Sequence, residues 1–127
     1  MKRPQNILII DDSTFIRMSA AKMLKEMEFN NVDTAEDGKV GLEKFRLTHP
    51  DIVLLDGVMP ELDGLTVLKE MKKERPGTIV IISSSISARE TILEFKTAGA
   101  DSYLLKPYER GKFSEAMTKA VSMIKVA

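Results

Sequence analysis

Ile7-Leu8-Ile9-Ile10-Asp11-Asp12 carries the pattern that decides the fold: a short, wholly apolar run that stops on acidic side chains. Ile52-Val53-Leu54-Leu55 stops in the same way at Asp56, and Leu104-Leu105 stops at Lys106-Pro107. A strand that is apolar at every position must be covered on both faces, which is the condition of a parallel sheet between helices. Read as neighbouring parallel strands, the three runs deliver Asp11, Asp12, Asp56 and Lys106 to the carboxyl edge of one sheet. Open α/β folds bind their ligands there.

Outward from these runs, short β-branched stretches alternate with longer stretches of helical period. The predicted strands are Asn6–Ile10, Val32–Ala35, Ile52–Leu55, Thr78–Ile82 and Ser102–Leu105. Val32-Asp33-Thr34-Ala35 alternates apolar with polar, which predicts an edge position. Ile16, Ala20, Met23, Leu24 and Met27 share one face of a first helix, with Ser13 or Thr14 placed to cap it. Leu42 and Phe45 mark a second helix after Gly38. Leu65, Leu68 and Met71 mark a third, entered at Asp63-Gly64 and closed before Pro76-Gly77. Ala88, Ile92 and Phe95 mark a fourth that ends at Gly99. Phe113, Ala116, Met117, Ala120, Val121 and Ile124 mark a fifth over Glu109–Lys125. Five β/α units predict a doubly wound parallel sheet with helices on both faces, joined by right-handed crossovers in the flavodoxin-like order 2-1-3-4-5. The first and third strands are then neighbours.

The 127 residues make one domain, 1-127, long enough to bury its own core, and no output domain is expected. Lysine plus arginine and aspartate plus glutamate both number 19, a balance that argues against sequence-independent nucleic-acid binding. With no cysteine, disulfides, thiolate metal sites and thiol catalysis are excluded. No apolar stretch nears the roughly 20 residues of a membrane span. The start, Met1-Lys2-Arg3-Pro4-Gln5, has no apolar h-region, so membrane insertion is not expected and a cytoplasmic protein is.

Each acidic or basic side chain has an ordinary reading of its own: a helix cap for Asp11-Asp12, a turn for Asp56, a solvated strand end for Lys106. Together they need more. Two like charges about 5 Å apart repel by about 3 kcal/mol at an effective dielectric near 20, so three carboxylates at one edge require cations. Lys106 supplies part, and a hard divalent ion with oxygen ligands, Mg2+ foremost, supplies the rest. Ser83-Ser84-Ser85 places hydroxyls at the same edge, of which at most one is expected to matter. His49 before Pro50 has no partner motif, and most of the eight methionines fall at helix-core spacing.

These residues resemble the receiver domain of two-component response regulators, specifically the stand-alone CheY-like type, itself an example of the 2-1-3-4-5 order. The resemblance rests on Asp11-Asp12 after the first strand and on Asp56-Gly57-Val58-Met59-Pro60-Glu61-Leu62-Asp63-Gly64 after the third. It rests also on Ser84 after the fourth, Ala98-Gly99-Ala100 before the fifth, and Lys106-Pro107 after it. It implies that Asp56 accepts a phosphoryl group from a sensor histidine kinase. It also implies that Asp12, Asp56 and the Val58 carbonyl bind Mg2+, with Asp11 acting through water. Lys106 and Ser84 would contact the phosphoryl oxygens, and the Lys106–Pro107 peptide would be cis. Ser84 and Tyr103 would form the switch that alters a surface for a downstream target such as a motor switch, a phosphatase or another effector. A labile acyl phosphate suits a signal that decays, and the chain would catalyse only its own modification, without being a turnover enzyme.

Val58 and Ile86, two residues after Asp56 and Ser84, are apolar where CheY-like sequences carry polar residues; they are expected to shield the acyl phosphate from water. Gly57 is unusual beside the acceptor, where a side chain is common. Three other readings compete. An aspartyl-phosphate phosphatase or phosphomutase would need a second acid at Val58. A flavodoxin-like carrier would place FMN phosphate against Asp11-Asp12, which repel it. A phosphate sink or phosphorelay intermediate would keep the fold and the acceptor but have no effector of its own.

Overall fold

The computed structural model describes residues 3–124. Five parallel strands, β1 (Arg3–Ile10), β2 (Phe29–Ala35), β3 (Ile52–Asp56), β4 (Ile79–Ser84) and β5 (Ser102–Leu105), form one sheet in the order β2-β1-β3-β4-β5. Five helices alternate with them: α1 (Thr14–Glu26), α2 (Gly38–Thr48), α3 (Gly64–Glu74), α4 (Arg89–Thr97) and α5 (Arg110–Met123). The fold class and strand order are those expected. Ile7 to Ile10 pair with Ile52 to Leu55 residue for residue, so β1 and β3 end side by side.

The continuous apolar runs split by parity between two cores. Leu8, Ile10, Val53, Leu55, Val80 and Ile82 face Phe45 of α2, Leu68 and Met71 of α3 and Phe95 of α4. Ile7, Ile9, Ile52, Leu54, Ile79 and Ile81 face Ala20 and Leu24 of α1 and Phe113 and Met117 of α5. Nearly all of these side chains are fully buried, each contributing about 2 kcal/mol of transfer free energy. Two-sided burial is what fixes the strands as interior elements of a parallel sheet. β2, with its alternating pattern, lies at the edge.

The helix starts follow their caps. Ser13 Oγ accepts from the Ile16 amide at 3.2 Å, Asp37 Oδ1 from Val40 at 2.8 Å, and Asp63 Oδ1 from Thr66 at 2.8 Å. Ala88 and Glu109 precede α4 and α5 without a side-chain cap bond. α2 ends where exposed His49 turns left-handed at φ 47°, and Gly99 takes φ 111° two residues past α4, a conformation glycine adopts without strain.

Several boundaries differ from the expected ones. β1 begins at Arg3 and β2 at Phe29, because Arg3 pairs with Phe29 across a register shift before Asn6. β4 begins after Thr78 and runs through Ser83 and Ser84, which are therefore strand residues. Val67 is buried in α3 where Leu65 is half-buried, and Ala88 is exposed outside α4. The predicted fifth helix reached Lys125, which lies outside the described residues, as do Met1 and Lys2. Among the described residues no helix is long and apolar enough to cross a membrane.

Candidate functional site

The carboxyl edge of β1 and β3 gathers the predicted acids. Asp11 follows β1 and Asp56 is the last residue of β3; both are buried, at 1% and 3% exposure, while Asp12 is exposed. One oxygen from each of Asp11, Asp12 and Asp56 lies within 4.8 Å of the others. Local hydrogen bonds hold them there. The Asp11 amide donates to the Ala35 carbonyl, Asp11 Oδ1 accepts from the Ser13 amide at 2.9 Å, and Arg17 Nη1 donates to the Asp11 carbonyl at 2.7 Å. Asp56 Oδ1 accepts from the Val58 amide at 3.1 Å. The Gly57 amide donates to the Ser83 carbonyl at 2.9 Å, continuing the β3–β4 pairing past Asp56. Gly64, the first residue of α3, sits so close to the Asp56 carbonyl that any Cβ there would collide with it.

Lys106 reaches this cluster from the end of β5. Its Nζ lies 2.7 Å from Asp11 Oδ2 and 3.3 Å from Asp56 Oδ1, and its amide donates to the Ser84 carbonyl at 2.9 Å. The following Lys106–Pro107 peptide is cis, as expected. One ammonium against three carboxylates leaves the negative charge only partly offset. Burial raises the pKa of Asp56 from 3.8 to about 6, with the charge of Asp11 and the Asp12 contact adding to the rise. The Val58 amide and Lys106 oppose it.

The donor set suits a hard divalent cation. All three side chains offer oxygen, and Mg2+ binds through one or two carboxylates while keeping several waters. Asp11 Oδ2 is buried with no aligned hydrogen-bond donor among the described residues, despite its contact with the ammonium, so a lone pair there is still available.

Ser84 is buried at the same edge, but its Oγ accepts from the Ile86 amide at 3.1 Å. Tyr103 is half-buried on the α4 side; its ring packs against Phe95 at 6.0 Å between centroids, and its hydroxyl donates to the Ile86 carbonyl at 2.7 Å. Val58 and Ile86 flank the edge with exposed side chains, at 58% and 37%. Gly57 is buried, and a Cβ there would stand 3.2 Å from Ile82 Cγ2 and from Phe95 Cζ. Phe95 thus fills the space a side chain at 57 would need.

One hydroxyl pair, buried on the Ser83 side and half-buried on the Tyr108 side, was not anticipated. Ser83 Oγ and the Tyr108 hydroxyl are 2.6 Å apart, and the Tyr108 ring packs on Phe113 at 5.2 Å. Two adjacent serines, not one, are therefore buried and hydrogen-bonded. The sequence offers only an aromatic two residues after Lys106, which does not say what its hydroxyl meets.

Similarity to known proteins agrees with this geometry. The family described as "Response regulator receiver domain" matches residues 7–118. The chain is 34% identical to chemotaxis protein CheY of Bacillus subtilis over 116 residues, covering 91% of this chain and 97% of that one. It is 35% identical to transcriptional regulatory protein PdtaR of Mycobacterium tuberculosis over 119 residues, covering 94% of this chain and 58% of that one. Among solved structures, the CheX-CheY-BeF3-Mg complex from Borrelia burgdorferi superposes with a TM-score of 0.89 at 30% identity, covering 93% of this chain and 90% of that one.

Proposed function

The chain belongs to the response regulator receiver domain family, and from that premise we propose that this phosphorylatable signalling switch takes its phosphoryl group on Asp56. The donor is the phosphohistidine of a sensor histidine kinase, and the signal passes on by phosphorylation-dependent binding to a downstream protein. The contact of one ammonium, Lys106, with both Asp11 and Asp56 is the observation that supports this most.

In the proposed step, a carboxylate oxygen of Asp56 attacks phosphorus as the bond from phosphorus to the donor imidazole nitrogen breaks. The electron pair of that bond leaves with the imidazole, and an acyl phosphate remains on Asp56. Little covalent chemistry is asked of the protein; the demand is for position and for compensation of charge. Lys106 would move from the carboxylates to the incoming phosphoryl oxygens, and the Ser84 hydroxyl would exchange its bond with the Ile86 amide for one to the phosphoryl group. Asp12, Asp56 and the Val58 carbonyl would hold Mg2+, with Asp11 linked through water; when bound, the ion neutralises charge on the transferred oxygens. Water attack on the acyl phosphate resets the switch, so the chain acts on itself and not on a turnover substrate. A cytoplasmic role beside a kinase, in chemotaxis or a related pathway, follows from the same reading.

Intact mass after incubation with a small-molecule phosphodonor and Mg2+ tests it. The wild type should gain one phosphoryl group and Asp56→Asn none; equal labelling of both would overturn the assignment.

A further inference from the structure

We propose that the hydroxyl pair of Tyr108 and Ser83 is a positioning clamp that holds Lys106 against the acidic cluster. The proposal rests on the reading of Asp56 as acceptor for its effect on reaction, though not for its effect on the lysine.

Three observations converge on it. First, Ser83 is the direct register partner of Asp56 across β3 and β4, and Tyr108 follows Lys106 by two residues. The 2.6 Å bond between their hydroxyls therefore ties the segment carrying the lysine to the strand position beside the acceptor. Second, that segment has few other means of attachment. Lys106 is anchored through its amide to Ser84, Pro107 has no N–H to give, and Glu109 opens α5 without a side-chain cap. Third, buried Ser83 and half-buried Tyr108 lie within reach of the site's charge. Burial pushes the Tyr108 phenol well above its ordinary range, and the charges of Asp11 and Asp56 push the same way against the bond from Ser83. Tyr108 packs into the core beside α1 and α5, whereas Tyr103 packs on the α4 side. The end of β5 and the loop after it, which together present Lys106, are thus packed on opposite faces of the sheet.

A largely enclosed pair of this shape could be apolar at little cost in stability, since replacing both partners of a hydrogen bond by matching apolar groups is nearly neutral. What an apolar pair lacks is direction. A lysine has four rotatable bonds, and its usefulness in phosphoryl transfer depends on where its backbone is fixed. Displacements near 1 Å remote from the chemistry can cost up to about 100-fold in rate. Tyr108 and Ser83 are positioning residues in this scheme and touch no reacting atom.

The test uses Tyr108→Phe, which keeps the ring against Phe113, Ser83→Ala, and the double variant. Two readouts are taken: the Lys106 side-chain ammonium resonance in the metal-free protein, and the rate of phosphoryl uptake from a small-molecule donor at saturating Mg2+. Either single change should broaden the lysine signal through faster solvent exchange and slow uptake about five- to tenfold, and the double should be no slower than the singles. An unmoved lysine signal in both singles overturns the clamp, and so does an unchanged rate or a multiplicative loss in the double. A wild type that takes up no phosphoryl group instead overturns the acceptor assignment, while the lysine resonance still decides whether the clamp exists.

Discussion

The hydroxyl of Tyr103 donates to the main-chain carbonyl of Ile86 at 2.7 Å, and the Ile86 amide donates in turn to Ser84 Oγ. A strand aromatic, the loop before α4 and the hydroxyl at the acidic edge are thereby one connected unit. A move of Ser84 toward a phosphoryl group on Asp56, as proposed, would break its bond to the loop and leave Tyr103 as the remaining tether.

Removing that tether should loosen the loop without unfolding the chain. Tyr103→Phe keeps the ring packed on Phe95, so a stability loss under about 1 kcal/mol is expected, with faster amide exchange at Ile86. Tyr103→Ala should also weaken the dependence of partner binding on phosphorylation. Partner affinity that responds to phosphorylation as in the wild type would leave Tyr103 as an ordinary packing residue.

Protonation of Asp56 should stabilise the metal-free protein. Its folded pKa of about 6 stands above the ordinary 3.8, so the folded chain binds this proton more tightly than the unfolded chain does. Stability is therefore depressed above pH 6 and recovers as the pH falls from 6 toward 4. Asp56→Asn removes the charge and should gain up to about 3 kcal/mol at pH 7 in the presence of a chelator, the gain fading at pH 4. Denaturant titrations at the two pH values decide it; a gain independent of pH would place the cause elsewhere.

Metal affinity should depend on Asp12 more than stability does. Asp12 is exposed, so Asp12→Ala is expected to change metal-free stability by no more than about 0.5 kcal/mol. Mg2+ affinity measured by calorimetry should fall about tenfold or more, as one of three oxygens is lost from the cluster. Equal affinities in the two proteins would remove Asp12 from the ion's ligands.

The lifetime of the acyl phosphate should respond to Val58 and Ile86. Both are exposed at the mouth of the site and neither can orient water. Val58→Asn with Ile86→Glu supplies groups that hydrogen-bond water there, and dephosphorylation should accelerate about tenfold. A decay rate unchanged in the double variant would show that neither side chain controls the approach of water.

The sequence made the sheet legible because its signals are local. Continuous apolar runs mark interior strands, and the alternation of Val32 to Ala35 marks β2 as an edge. The charged ends of β1, β3 and β5 were legible for the same reason, since parallel strands in register must bring their ends together. The extra length of β1 was not, because Arg3, Pro4 and Gln5 look like a polar lead-in, and Arg3 joins the sheet only by pairing with Phe29 of β2 across a register shift. The Ser83–Tyr108 bond was equally hidden. It joins residues 25 apart, and neither has a local pattern that distinguishes a buried hydroxyl from a solvated one.

At the opposite end of the sheet, Lys72 donates to the Thr78 carbonyl at 2.6 Å and to Asp101 Oδ2 at 2.7 Å, and Asp101 Oδ2 also accepts from the Val80 amide. This knot fastens the turn between α4 and β5 to α3 and β4, while the leading end of α4, after Ala88, has no side-chain cap. The helix is therefore held by side-chain bonds at the end remote from the acids, and reaches the acidic edge through the Ile86 segment that Ser84 and Tyr103 bind. Over nine residues, about 13 Å, a tilt of about 10° about that end would move the leading end by about 2 Å. Were the helix to pivot about that knot, a shift at its leading end would reach the outer surface with no strand in the sheet having to move.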